Sequence, residues 1–96
     1  MTFNKTATMK LIKSWCSLDN WYGDLNSKLQ MELMNRGFTL KKNPEMQKLS
    51  EEMERVDKVR HLIMQAFEYE DYDAFVEYLL FDLKISFNKV LDRWEI

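Results

Sequence analysis

Only two glycines and one proline punctuate this 96-residue chain. Strands joined by tight turns need turn-forming residues every ten positions or so, so the scarcity argues against a sandwich or barrel and for long helices. The length suits one hydrophobic core, a single helical domain over residues 1–96. Apolar residues make up 46 % and charged residues 31 %, which separates the chain from a disordered tail.

Hydrophobic spacing predicts where the helices lie. Asn4 or Thr6 can cap a short first helix reaching Cys16, in which Met9, Ile12, Trp15 and Cys16 recur at threes and fours. Ser17 or Asp19 can cap a second, with Trp21, Tyr22, Leu25, Leu29 and Leu33 as its stripe and Arg36-Gly37 as its ending. Gly23 weakens that helix by about 1 kcal/mol relative to alanine. Phe38 to Lys42 reads as an extended connection. Asn43-Pro44-Glu45 then supplies a cap, a first-turn proline and an acid at the positive helix end.

From Met46 the stripe runs through Leu49, Met53, Val56, Ile63 and Phe67, with Arg60 in one core slot. A second stripe joins Tyr72, Val76, Leu79, Leu83, Phe87, Val90 and Trp94. Five residues separate Phe67 from Tyr72, a rotation of roughly 140° that would bury one stripe and expose the other in a straight helix. A turn at 69–73 restores both. The expected fold is all-α: a small four-helix bundle with a short first helix, its last two helices forming a long antiparallel hairpin.

The net charge of −2 gives no bulk attraction to nucleic acid. It conceals +4 over residues 1–42 and −6 over residues 43–96. Cys16, the single cysteine, reads as a small buried hydrophobe in a reducing compartment. The longest apolar run, Tyr78-Leu79-Leu80-Phe81, is far from a membrane span, and Met1 to Lys5 lacks the apolar stretch of a signal peptide, so a cytoplasmic location is expected.

Catalytic chemistry has little to stand on. His61, four residues after Asp57, is the single histidine; with one cysteine it cannot complete a zinc or di-metal site. Gly23 and Gly37 are too far apart for a phosphate loop. The segment from Asp19 to Arg36 is too acidic for a recognition helix, with Asp19, Asp24 and Glu32 against Lys28 and Arg36. The expectation is a non-enzyme with no cofactor or metal, and no direct contact with nucleic acid or membrane.

One window stands out. Between Arg60 and Lys84 no lysine or arginine occurs, while Glu68, Glu70, Asp71, Asp73, Glu77 and Asp82 interleave with Phe67, Tyr69, Tyr72, Phe75, Tyr78 and Phe81. Capping and core packing explain most of this. Glu68 and Glu70, however, fall at a helix carboxyl end, where the dipole disfavours each acid by roughly 0.3–1 kcal/mol. Acids that steer and tyrosines that supply contact area suit a basic protein partner. The candidate binding residues are Glu68, Tyr69, Glu70, Asp71, Tyr72, Asp73 and Glu77. By size and charge the expectation is a small inhibitor of the antitoxin, immunity-protein or phage-encoded kind, docked on a nucleic-acid-binding protein or nuclease. The alternative is a self-association module, a homodimer with the last helix as its seam.

Overall fold

The computed structural model describes residues 4–35 and 44–95. α1 spans Lys5–Asn35 and α2 spans Pro44–Ala66. A short α3, Tyr72–Glu77, runs on as a π-helical turn over Tyr78–Asp82. The chain then forms an antiparallel hairpin of β1, Ser86–Asn88, and β2, Arg93–Glu95, with Phe87 opposite Trp94.

The four-helix bundle is therefore corrected in two places. The expected first and second helices are one continuous α1. No Gly or Pro falls at the supposed junction, and the apolar positions Leu18, Tyr22, Leu25 and Leu29 carry the stripe of Ile12 and Trp15 onward in phase. Asn4 does cap the helix, its Oδ1 accepting from the Ala7 N–H at 2.7 Å. Asp19 cannot cap a helix that it sits inside, and its side chain serves elsewhere.

The second correction is at the carboxyl end. The expected long last helix stops at Asp82, and no long hairpin of the last two helices exists. Leu83 N–H reaches back to the Tyr78 carbonyl and Ile85 N–H to the Leu79 carbonyl, while Lys84 turns the chain with φ 54°. The turn between the strands is organised by Asn88, whose Oδ1 accepts from the N–H groups of Val90 and Leu91 and whose Nδ2 donates to Glu95 at 2.8 Å. Asp92 closes it with φ 54°. Phe87 and Trp94 meet edge to face at 5.0 Å on the inner side of the hairpin.

The turn expected at 69–73 is present but lies two residues earlier, at residues 67–71, with Tyr72 and Asp73 already in α3. The Arg36-Gly37 ending, the 38–42 connection and the Asn43 cap lie outside the described residues. α2 begins at Pro44, as the proline and Glu45 indicate.

α1 and α2 pack antiparallel as a stem whose buried core is Leu25, Met53 and Val56. At one end α3, the π-turn and the β-hairpin lie across the stem. There Ile12, Trp15, Cys16, Ile63, Met64, Phe75, Leu79 and Trp94 form the main core. Trp15 sits at its centre, within 4.9 Å of Phe75 and 5.8 Å of Trp94 between ring centroids. The projecting stem makes the molecule elongated, 47 × 28 × 20 Å.

Candidate functional site

Two polar regions flank that core. The first is built on Arg60, which occupies a core slot of α2 and is 8 % exposed. A buried guanidinium is tolerated only when paired. Arg60 Nη1 donates to Asp19 Oδ1 at 2.6 Å and Nη2 donates to Asp57. Its Cζ lies 4.1 Å from the Tyr22 ring centre and 5.6 Å from that of Tyr72. Asp19 also accepts from the Tyr72 hydroxyl, at 3.1 Å to Oδ2, and from Trp94 Nε1 at 2.8 Å. Beside it, the Asn20 amide clasps the Trp94 backbone, donating to the carbonyl at 3.1 Å and accepting from the N–H at 2.8 Å. One turn of α1 thus ties together α2, α3 and β2.

The two carboxylates compensate the Arg60 charge, while its buried Nε finds no hydrogen-bond partner among the described residues. Burial lowers the Arg60 pKa, but the hydrogen bonds and charges of Asp57 and Asp19 outweigh it and raise the value. Burial and the Asp19 carboxylate push the Tyr72 phenol well above its usual range, so it stays protonated and donating. A cleft of about 320 Å³ opens here between Asp19, Tyr22, Gly23, Tyr72, Phe87 and Asp92. Its arginine already faces two carboxylates, and the Tyr72 hydroxyl is committed to Asp19.

The second region is the corner between α2 and α3. α2 ends in a left-handed cap: the Tyr69 N–H donates to the Met64 carbonyl and the Glu68 N–H to Gln65, with Glu68 at φ 65° where glycine is usual. Asp71 caps α3 by accepting from the Asp73 N–H. Tyr69 stacks on Tyr78 at 5.2 Å, meets Phe75 at 5.5 Å, and is half-buried. Glu68, Tyr69, Glu70 and Asp71, with Gln65 and Ala74, line an open hollow of about 550 Å³, with no basic side chain among the described residues that line it.

Four of the seven candidate residues therefore come together. Asp73 and Glu77 are exposed on α3 but outside the hollow. Tyr72 turns away, its hydroxyl committed to Asp19.

Cys16 is a buried free thiol in the main core, its pKa pushed up to about 12 by burial and by Asp19. His61 is exposed, its Nδ1 3.0 Å from the Asp57 carbonyl oxygen. Among the described residues no cluster of three His, Cys, Asp or Glu side chains is placed to hold a metal, and no helix is long and apolar enough to cross a membrane. Of the residues that organise the knot, Asp19 reads in the sequence as a helix cap and Trp94 as a stripe position, and Asn20 is not singled out. The arginine at a core position of α2 was the signal pointing to them. No family model, curated protein or solved structure matches the chain.

Proposed function

We propose that this is a non-catalytic, cytoplasmic binding protein, acting as an inhibitor of the antitoxin or immunity-protein kind, whose α2–α3 corner docks on a basic surface of a protein partner. The observation that carries the reading is the hollow at that corner: three acids and one tyrosine share one concave surface, and none of the described residues lining it is basic. Rigid aromatic area gives contact at low entropic cost, and the acids accelerate encounter with a cationic surface. Asp73 and Glu77 extend the same sign along α3. A nucleic-acid-binding protein or nuclease presents the complementary charge.

The test is affinity capture from the source organism with the parent chain and with a Glu68→Lys, Glu70→Lys, Glu77→Lys variant, which leaves the Asp71 cap in place. The parent should retain a basic protein, with retention falling as salt shortens the Debye length from about 10 Å to about 3 Å. The variant should lose it while its circular dichroism is unchanged. A folded triple variant that retains the same partner equally well, or a partner with no basic surface, overturns the proposal.

A further inference from the structure

Among the described residues, the stem is covered on one side. α3 and the β-hairpin lie over the face of α1 that carries Ile12, Cys16 and Asp19. At about 100° per residue, Trp21 lies roughly 180°, 140° and 160° around the helix from those three. It is 46 % exposed; across the groove from it Val59 on α2 is 45 % exposed, and Leu62, about one turn further along α2, is 64 % exposed. Leu18, Trp21, Val56 and Val59 line an apolar groove of about 260 Å³ between the two helices. Beneath it, among the described residues, the fully buried part of the stem core is Leu25, Met53 and Val56. Two helices side by side bury one stripe each, and a second apolar face is what a bundle uses for its other layer.

We propose that this outer face of the α1–α2 stem is the contact between two copies of the chain. The surface is distinct from the acidic corner, and the proposal does not depend on the function assigned to that corner. Charge selects the occupant. Among the described residues, the charged side chains bordering the groove and its continuation along the stem are Lys28, Lys48 and Arg55 with Glu32, Glu45 and Glu52. Three bases against three acids give no net field to steer a strongly charged partner, and both signs on one face are what an isologous two-fold contact requires, because the patch must complement itself. The dimensions suffice. The 23 residues of α2 extend about 35 Å, and two helices about 9 Å apart span about 19 Å, giving roughly 650 Å² per copy and about 1,300 Å² in total, within the range of specific interfaces. Two stems so packed form a four-helix arrangement between chains, with each acidic corner on the far side and open to its own partner.

Sedimentation velocity across micromolar to high-micromolar concentrations tests this. The parent should sediment as two chains of 11.7 kDa each. Leu62→Glu should raise the dissociation constant roughly a hundredfold, since both copies lose a buried side chain. Trp21→Lys should give a monomer. Val90→Lys, at the exposed tip of the β-hairpin, should leave the dimer intact. Should Trp21→Lys fail to fold, Leu62→Glu still decides, because that side chain is largely solvent-exposed within one chain. A single-chain mass throughout, an open-ended series of larger species, or a dimer indifferent to Leu62→Glu overturns the proposal.

Discussion

Asp19 accepts from Arg60, Tyr72 and Trp94 at once, and replacing it with asparagine keeps its volume while removing its charge. One amide oxygen cannot serve three donors, and the amide nitrogen adds a fourth donor to the cluster. Arg60, 8 % exposed, then depends on Asp57, whose side chain is 40 % exposed and a weaker counter-charge. Breaking a buried pair typically costs about 3–5 kcal/mol. Asp57 and the adjoining cleft reduce that to about 2 kcal/mol here, and leaving the buried Trp94 N–H without an acceptor adds about 1 kcal/mol. The total of about 3 kcal/mol is a large share of the roughly 5–15 kcal/mol of a domain this size and lowers Tm by about 12–24 °C. Thermal and urea melts followed by circular dichroism measure it, and tryptophan fluorescence reports whether the β-hairpin detaches first. Asp24→Asn is the control: its contact with Arg93 at 3.9 Å joins two side chains more than half exposed, and the loss should stay below about 0.5 kcal/mol. In a double-mutant cycle, Arg60→Met should offset part of the Asp19→Asn penalty because the orphaned charge is gone. If Asp19→Asn costs less than about 1 kcal/mol, Asp19 is not the residue that holds the elements together.

Glu68→Gly should stabilise the fold by about 0.5–1 kcal/mol, seen as a rise in Tm, because φ 65° is unstrained for glycine; the same change should weaken capture of the basic partner. Stability should fall at alkaline pH. Cys16 ionises near 9.0 when unfolded and at about 12 in the fold, so its contribution is fully present below pH 9 and is lost as pH rises towards 12, about 1 kcal/mol being gone by pH 10. Cys16→Ala should flatten urea midpoints plotted against pH over that interval; an unchanged slope would refute the assignment, as would rapid alkylation of the native thiol near neutral pH.

Residue spacing revealed helices wherever the apolar stripe was long and bounded by a strong signal. Asn4 and Pro44 mark starts, and the five-residue phase jump after Phe67 marks a turn. It failed where one pattern suits two structures. Phe87 and Trp94 are seven apart, two helical turns, yet they are also a cross-strand pair closed by a four-residue turn. The discriminating cue was local: Ser86-Phe87-Asn88 and Arg93-Trp94-Glu95 each place one large apolar residue between two polar ones, the period-two pattern of a half-buried strand. Asn88 and Asp92, at the two ends of the turn, are residues that favour turns over helix interiors. Ser17 and Asp19 misled in the opposite sense, since a residue that can cap a helix is equally able to sit within one when its side chain has a tertiary partner.

The corner and the knot differ in legibility for a related reason. Residues 68–71 are contiguous in sequence, so their convergence on one hollow follows from a single turn. The knot joins positions from 19 to 94 and depends on which elements face each other, which no local pattern reports. Yet one constraint was available. Arg60 occupies a slot whose neighbours in the stripe are Val56, Ile63 and Phe67, and a cation there demands a carboxylate from whatever helix packs opposite. α1 offers three acids, Asp19, Asp24 and Glu32. In an antiparallel stem whose second helix starts at Pro44, positions further along α2 meet positions earlier in α1, and Arg60, about three-quarters of the way along, pairs with the first of the three. Having placed Asp19 there, the same geometry accounts for Asn20: one residue further round the helix it meets the next layer, and clasps the backbone of β2.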